Sequence, residues 1–490
     1  MLADTSVRWF RWGDEAFELA CRENRPLLLH IGYEGCAGST AMRQGAFADA
    51  GTLATLQAHF VPVYVDRDES PEIDRLMQLS HRLLTREDGG WPLNMFLTQD
   101  EGLPFFGTGY LPAVASHGQP GCVDVLRRVA GYYSSQRDAL REQGDALRDT
   151  LRRIDGGSWE ESTMPGTAAL RATREALEAG FDREHGGWGR SPKFPQVLAI
   201  RHLLRHWQGS AGGETPDLKA LYLATLALTR MAEGGLHDAV SGGFFRYCRD
   251  EAWRDPLPEK SLLDNALLLE TFAEAAVLTG DPSFRRIANS TADCLLNAFQ
   301  LAGGGFRANL ATTIEGGAVL HLAPNAAAVR ALATAAGLLG RADLKSAAAD
   351  TLDLLRQAEP ASLEEHAMLA DAILQRSALE GEDADLPWAR RLADAMLSGF
   401  EDRPRGGFHA LPATGMRLFH RARVFADGAT ASGNALAARV MLRLDREQPD
   451  SRYRQAAERT LRAAARRMET QPLAHLGLIA ALADLLADTQ

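Results

Sequence analysis

Hydrophobic and polar positions follow one pattern in the first third of this chain and another in the rest. In the first third, four apolar runs of strand length are predicted as strands, at residues 25–31, 59–65, 94–98 and 104–106. Three segments with helical spacing are predicted as helices, at residues 41–57, 71–84 and 123–137. The order of strand, helix, strand, helix, hairpin and helix predicts an α/β domain over residues 1–150.

From about residue 165 the strand signals end, and amphipathic segments rich in Ala, Leu and Arg follow one another. One set of six helices is predicted to begin at Thr167, Asp217, Ser283, Ala342, Trp388 and Tyr453. A second set alternates with the first and is predicted to begin at Pro195, Asn265, Asn325, His366, Asn434 and Pro472. Proline suits a first helical turn and asparagine suits an N-cap, so these starts have a local cause. Twelve helices in six hairpins predict an all-α (α/α)6 barrel over residues 160–490.

A Gly-Gly-aromatic turn recurs in this second region, at Trp188, Phe244, Phe306 and Phe408. The separations of 56, 62 and 102 residues fit one turn per hairpin, with two hairpins lacking it. Glycine permits tight backbone turns. We expect these turns on one rim of the barrel with the aromatic side chains lining its mouth, or, alternatively, acting only as connectors.

Composition and charge exclude several classes of protein. A length of 490 residues favours two domains. The formal net charge is −11, and no basic run favours nucleic acid or an anionic membrane surface as a partner. We see neither a secretory signal nor an apolar stretch that would cross a bilayer, which predicts a cytoplasmic protein. The five cysteines contain no C-x-x-C pair, so we expect free thiols, no metal site and no cofactor.

Lysine is rare in this chain, which uses arginine as its usual cation. Of the 53 basic residues only four are lysines, at positions 193, 219, 260 and 345. Lys193 and Lys260 fall in irregular segments between helices, which indicates that a compact ammonium group is needed there. One interpretation is a binding site, and the other is a Lys–Glu salt bridge that staples the loops of the barrel.

Four stretches, GYEGCAGSTAMRQGAF, VDRDESPEIDRLM, GGWPLNMFLT and PFFGTGYLP, resemble the thioredoxin-like domain of the spermatogenesis-associated protein 20 family in order and spacing. That family carries a C-x-W-C-H signature, and Cys36 matches its first cysteine. Ser39 stands at the second cysteine, so this chain resembles a shortened member with a C-x-x-S site. The resemblance also implies that Pro92, preceded by Trp91, is a cis-proline that faces the cysteine.

The predicted position of Cys36 is the N-terminus of a helix, where the helix dipole favours a thiolate. Because no resolving cysteine lies nearby in the sequence, ordinary dithiol reductase chemistry is not expected. Cys36 can instead form a mixed disulfide with a protein thiol or glutathione. The alternative is a degenerate site that only packs.

Four irregular segments of the barrel also match blocks of the same family: HGGWGRSPKFPQ, GGLHDAVSGGFFRY, PLPEKSLLDNA and RARVFADGATASGNA. They supply the substrate-binding candidates Trp188, Lys193, Phe194, Phe244, Arg246, Tyr247, Lys260 and Arg421. The catalytic candidates, besides Cys36, are Glu259, Asp264, His237 and Asp427. Carboxylates there can act as general acid and base on a sugar-like ligand, or they can cap helices. Three positions where the family tends to have histidine carry other residues, which weakens any histidine-dependent mechanism taken from relatives.

The predicted architecture also resembles the barrels of sugar epimerases and six-hairpin glycosidases, although a fold does not assign a reaction. The first hypothesis is a barrel that binds, and isomerises or epimerises, a carbohydrate-like small molecule at its rim. The second is a monothiol redox protein in which Cys36 captures a thiol partner. The third is a non-catalytic scaffold.

Overall fold

The computed structural model describes residues 7–33, 35–116, 118–156, 158–311, 320–381, 384–414 and 417–488. They divide into two compact units. Unit 1 contains the described residues of Met1–Gly156 together with Ala413–Ala422, and unit 2 contains those of Gly157–Thr312, Gly316–Pro412 and Arg423–Gln490.

Unit 1 is built on a sheet whose described strands are β1 (Phe10–Arg11), β2 (Leu27–Gly32), β3 (Val61–Asp66), β4 (Leu93–Leu97) and β5 (Pro104–Thr108). The strand order is β1-β3-β2-β4-β5, with β1, β3 and β2 parallel and with β4 and β5 antiparallel to their neighbours. Every residue of β2 and β4 is buried, as expected for the central strands of a sheet covered on both faces. The predicted thioredoxin-like α/β fold is confirmed.

Six helices surround this sheet in the described part of unit 1: α1 (Asp14–Glu23), α2 (Ala37–Gln44), α3 (Ala50–His59), α4 (Pro71–Thr85), α5 (Cys122–Ser135) and α6 (Arg137–Asp155). The single helix predicted over residues 41–57 is wrong, because the chain ends α2 at Gly45 and starts α3 at a new cap. The Asp49 carboxylate accepts the Thr52 N–H at 2.8 Å. The sequence prediction did not include α1 and α6.

The described residues 413–414 and 417–422 belong to unit 1, although the predicted boundary placed them in the barrel. Leu418 and Phe419 pack against the buried apolar residues of unit 1. Next to them, His420 Nε2 lies 2.7 Å from a carboxylate oxygen of Asp155 at the end of α6. The segment therefore contributes both apolar contacts and a hydrogen bond to unit 1.

Unit 2 is a double ring of helices. The outer set in its described residues is α7 (Thr167–Ala179), α9 (Leu218–Glu233), α11 (Pro282–Cys294), α13 (Ala342–Leu355), α15 (Leu386–Gly399) and α17 (Ser451–Ala463). The inner set is α8 (Val197–Ser210), α10 (Leu262–Thr279), α12 (Leu322–Leu339), α14 (Leu363–Glu380), α16 (Gly433–Glu447) and α19 (Leu476–Ala487). A short helix, α18 (Ala465–Thr470), precedes α19, and a two-stranded ribbon pairs β6 (Glu259–Ser261) with β7 (Asn309–Ala311).

The inner helices pack in sequence order from α8 to α19, and α19 returns to α8 to close the ring. All twelve helices begin within four residues of their predicted starts. The predicted (α/α)6 barrel is therefore confirmed.

Of the described helices, α12 alone passes a membrane-span test of length and composition. The tested window is 56% buried within the protein, as an inner barrel helix must be, so this is weak evidence for a membrane span.

Candidate functional site

Three of the four Gly-Gly-aromatic turns have a common backbone geometry. In the turn that precedes Phe244, the Asp238 N–H donates to the Gly243 carbonyl and the Gly242 N–H donates to the Asp238 carbonyl, each at 2.9 Å. Gly242 and Gly243 have φ angles of 73° and 71°, a region that favours glycine. The same pair of bonds forms in the turns that begin at residues 182 and 402.

An asparagine of an inner helix holds each of three turns. The side chain of Asn265 accepts the Phe244 N–H at 2.7 Å and donates to the Phe244 carbonyl at 2.9 Å. Asn325 and Asn434 bind the other two phenylalanines of the repeated turns in the same way. The predicted N-cap role of these asparagines is wrong, because Asn265 and Asn325 are the fourth residues of their helices and Asn434 is the second. The N-caps are Ser261, His321 and Ser432.

The aromatic side chains of the four turns are buried, with exposed fractions of 7% for Trp188 and 0% for Phe244, Phe306 and Phe408. They fill the core instead of lining an open mouth, because asparagines hold the three phenylalanines inward and the Trp188 indole N–H donates to the Leu177 carbonyl at 2.8 Å. As substrate-binding candidates, Trp188 and Phe244 therefore present no open surface.

The two candidate lysines are held by the same turns. Lys260 Nζ donates to Asp238 Oδ2 at 2.8 Å, to Ser241 Oγ at 2.8 Å and to the Gly242 carbonyl at 2.7 Å. Burial opposes ionisation of Asp238, but the hydrogen bonds from Lys260 and Ser241 hold the pKa of this carboxyl well below its usual range. These contacts match the stapling interpretation, with aspartate in place of glutamate.

Lys193 is fully buried and binds the turn that begins at Asp182, as Lys260 binds the turn that begins at Asp238. Its Nζ donates to Asp182 Oδ2 at 2.6 Å and to the Glu251 carbonyl at 2.9 Å, and it lies 5.0 Å from the centre of the Trp253 ring. Both lysines thus neutralise the aspartate that opens a turn, and each lysine is buried while its aspartate is partly exposed.

Phe194, Arg246, Tyr247 and Glu259, which we call the rim patch, come from three of the segments that the sequence analysis selected. The rings of Phe194 and Tyr247 lie 4.9 Å apart, and Phe194 is 42% exposed. The backbone N–H of Arg246 donates to the backbone carbonyl of Glu259 at 2.9 Å. Lys193 and Cys248 exchange backbone hydrogen bonds of 2.8 and 3.0 Å, which ties the chain beside Phe194 to the chain beside Tyr247.

The catalytic candidates His237 and Asp264 occupy structural positions. The His237 ring packs edge-on against Phe244 at 5.1 Å, its Nε2 has no hydrogen-bond partner among the described residues, and burial lowers its pKa. The lowered pKa favours the neutral imidazole form of His237 at neutral pH. Asp264 lies in the first turn of α10, where its backbone N–H donates to Ser261 Oγ.

Asp427 and Arg421 are placed in different units. The Asp427 carboxylate accepts the N–H groups of Ser432 at 2.9 Å and Gly477 at 2.8 Å, and so it caps the start of α19. Burial raises the pKa of Asp427 to about 6. Arg421 belongs to the segment that packs within unit 1.

A ring of charged side chains inside the barrel was missed by the sequence analysis. Its members are Arg201 and Arg205 of α8, Glu270 and Glu274 of α10, Arg330 of α12, Asp371 of α14, Arg439 and Arg443 of α16, and Asp484 of α19. The sign of the charge alternates from each inner helix to the next. The ring thus brings cations and anions together across every helix boundary of the barrel.

Glu270 is the most buried member of this charged ring, with 1% of its side chain exposed. It accepts from Arg201 at 2.7 Å and from Arg330 at 2.9 Å, and Arg330 also donates to Asp371 at 2.5 Å. Burial opposes ionisation of Glu270, but the two guanidinium groups lower its pKa below the usual value.

The other half of the charged ring is held by Asp484, which pairs with Arg205 and accepts from Arg439 Nε at 3.0 Å. Arg443 donates to Gln375 Oε1 at 3.1 Å and so joins α16 to α14.

The sequence does contain a signal for part of the charged ring. A charged residue follows five positions after each of Asn265, Asn325, His366 and Asn434, at Glu270, Arg330, Asp371 and Arg439.

A cavity of about 360 Å³ lies along the inner face of α8, beside the charged ring. Its polar wall includes Arg201, Arg205, Glu274 and Arg439, and its apolar wall comes from α10, α12 and α19. In the part of the chain that the structure describes, no group of three or more His, Cys, Asp or Glu side chains is placed to hold a metal ion.

In unit 1, Cys36 is the N-cap of α2, and its Sγ accepts the Ser39 N–H at 3.5 Å. The Trp91–Pro92 peptide bond is cis, and Pro92 contacts the start of α2 so closely that a Cβ on Gly38 would meet its ring at 2.5 Å. Cys36 is only 3% exposed, so a thiol partner has little access to it. Its reactivity stays a prediction.

The loop before Pro92 is fixed by polar contacts. The Trp91 indole N–H donates to Asp74 Oδ1 at 3.0 Å, and the Arg67 guanidinium lies 4.1 Å from the centre of the Trp91 ring. Burial raises the pKa of Asp74. Trp91 is 41% exposed, so this loop presents an aromatic surface to solvent.

Comparison with known sequences matches residues 1–152 to the family model Thioredox_DsbH, described as a protein of unknown function, DUF255. Spermatogenesis-associated protein 20 of Rattus norvegicus is 31% identical over 306 residues, which cover 62% of this chain and 38% of the rat protein. The Homo sapiens protein is 31% identical over 302 residues, with 61% and 38% covered. The chain thus spans less than two fifths of these curated relatives.

Comparison with solved structures finds barrels like unit 2. Cellobiose 2-epimerase from Spirochaeta thermophila matches with a TM-score of 0.52 and 18% identity, covering 70% of this chain and 98% of that one. D-mannose isomerase matches with a TM-score of 0.50 and 12% identity, covering 66% and 100%. A family 76 glycoside hydrolase from a bovine Bacteroides thetaiotaomicron strain matches with a TM-score of 0.50 and 12% identity, covering 68% of this chain and 79% of that one. At these identities the likeness concerns the fold alone.

Proposed function

Because the chain is a relative of the spermatogenesis-associated protein 20 family and unit 2 has the fold of the sugar epimerases and isomerases, we propose that unit 2 binds a carbohydrate-like small molecule at the rim patch and isomerises or epimerises it. The observation that carries this proposal is the convergence of Phe194, Arg246, Tyr247 and Glu259 from three separate segments.

The chemistry of the rim patch suits a sugar. The paired rings of Phe194 and Tyr247 offer an apolar surface to the C–H face of a pyranose, with the phenol as an additional hydrogen-bonding group. Arg246 and Glu259 supply a donor and an acceptor for hydroxyl groups. Glu259 is the group that we assign to proton transfer, since isomerisation and epimerisation both require a base next to a carbon that carries hydrogen.

The test is binding of D-mannose, D-glucose and cellobiose to the full chain, measured by calorimetry. We expect F194A and Y247A to weaken binding about tenfold or more, a loss of roughly 1.4 kcal/mol. Tyr222 is a matched control, because it is 60% exposed on α9 of the same unit, and Y222A should leave affinity unchanged. Absence of saturable binding to the unchanged chain overturns the proposal.

A second comparison separates this function from thiol capture by Cys36. If the barrel carries the activity, Glu259→Gln abolishes sugar isomerisation and Cys36→Ser leaves it intact. The opposite result, together with a mixed disulfide between Cys36 and glutathione, would assign the function to unit 1 instead.

A further inference from the structure

The cavity along α8 is separate from the rim patch and has a wall of a different kind. Where the other neighbouring inner helices pack closely, α8 packs less closely against α10 and α19, and the space between them is the cavity. Its volume of about 360 Å³ falls in the range of small-molecule sites. We propose that this cavity is a second binding site and that it takes an uncharged, hydroxyl-rich molecule.

The ion pairs of the charged ring decide against a charged ligand. Arg201 is bound to Glu270 and Glu274, and both Arg205 and Arg439 are bound to Asp484. The three guanidinium groups of the cavity wall thus share three carboxylates, of which Glu270 also binds Arg330. An anion would have to compete with these carboxylates for the arginines, and separating Arg201 from Glu270, whose side chain is only 1% exposed, is strongly unfavourable.

A neutral polyol can bind without breaking any pair. A guanidinium carries five N–H donors, and Arg439 uses only its Nε in the contact to Asp484. Glu274 accepts from Arg201 at 3.2 Å and has 31% of its side chain exposed, so it presents acceptor capacity at the wall. Donors and acceptors therefore stand side by side, which is the pattern that hydroxyl groups satisfy.

The apolar part of the wall limits the ligand to the size of a single sugar or a short polyol. Leu198, Val277, Leu278 and Ala480 form this apolar part of the wall.

The experiment compares D-glucitol with D-gluconate, which share six carbons and differ by one carboxylate, in binding to the full chain by calorimetry or ligand-observed NMR. We expect D-glucitol to bind saturably and D-gluconate to bind at least tenfold more weakly. Ala480→Phe and, independently, Val277→Trp fill the cavity from two helices without removing a charge, and each should weaken D-glucitol binding at least tenfold. Ala487→Phe, at an exposed position of α19, is the control and should not change it.

Three results would overturn this inference: no saturable D-glucitol binding to the unchanged chain, equal or tighter binding of D-gluconate, or unchanged affinity in both cavity-filling variants that fold. Phe194→Ala distinguishes the two sites. D-glucitol binding that survives in this variant supports a separate cavity site whether or not the rim patch binds sugars, and its loss would assign the polyol to the rim patch.

Discussion

Replacement of Glu270 by glutamine tests whether the charged ring is a structural requirement of the barrel. The substitution keeps the volume of the side chain and removes its charge, so that Arg201 and Arg330 each lose a buried partner. Removing one member of a buried ion pair typically costs about 3–5 kcal/mol. Here the cost should lie near the lower end, about 3 kcal/mol, because Arg201 keeps Glu274 at 3.2 Å and Arg330 keeps Asp371 at 2.5 Å.

The assay is thermal and urea unfolding followed by far-UV circular dichroism, a signal dominated by the helices of unit 2. For a domain of this size, about 3 kcal/mol corresponds to a fall in Tm of roughly 4 °C. Glu233→Gln is the matched control, since Glu233 is 67% exposed and lies 4.0 Å from Arg230 on α9, and it should change stability by less than about 0.5 kcal/mol.

A double-mutant cycle with Arg201→Met identifies the cause of the loss. If an unpaired buried cation is responsible, the double variant should be less destabilised than the sum of the single variants by about 1–3 kcal/mol. A loss below about 1 kcal/mol in Glu270→Gln, or strict additivity in the cycle, would refute the reasoning that a buried cation of the ring needs its carboxylate partner.

Three further predictions concern the turns and the thiols. Asn265→Leu removes both side-chain bonds to a buried turn and should cost about 2–3 kcal/mol in urea unfolding, above the ~1 kcal/mol of a lost N-cap. The lowered pKa of Asp238 means that its interaction with Lys260 is fully present above the ordinary carboxyl pKa and is lost as pH falls through the lowered one. Lys260→Met should therefore flatten this part of the stability profile between pH 5 and pH 1, and an unchanged acid limb would contradict the assignment. Exposed Cys21 should react with iodoacetamide in the native protein before buried Cys36, as peptide mass spectrometry would show, and the reverse order would indicate an activated Cys36.

Local signals predicted the elements of this fold better than the contacts between them. Proline and asparagine near the starts of the inner helices correctly located five helices, and His366 located the sixth, because such residues recur where a chain enters a helix. Their role could not be read locally. Whether an asparagine caps its own helix or binds a turn about twenty residues earlier, as Asn265 does with Phe244, depends on how the hairpin folds back.

The charged ring escaped prediction for a related reason. A single Arg330 in an apolar helix has no partner within its own sequence neighbourhood, and its two carboxylates come from helices 60 and 41 residues away. The segment at residues 413–422 was likewise assigned to the barrel, because the pair Leu418 and Phe419 is too short to signal that it packs elsewhere. At Cys36, by contrast, the family motif located both the start of α2 and the cis bond at Pro92.

The turn asparagines lie on the same inner helices as members of the charged ring. Each asparagine binds an aromatic residue of a turn and so fixes the position of its helix along the barrel axis. The charged residue lies five positions later in the helix, about 7.5 Å further along the helix axis at 1.5 Å per residue, so fixing the helices at their turns also aligns their charged residues. A shift of α16 caused by loss of the bond between Asn434 and Phe408 would therefore move Arg439 away from Asp484 and change the wall of the cavity, although Asn434 itself does not line it.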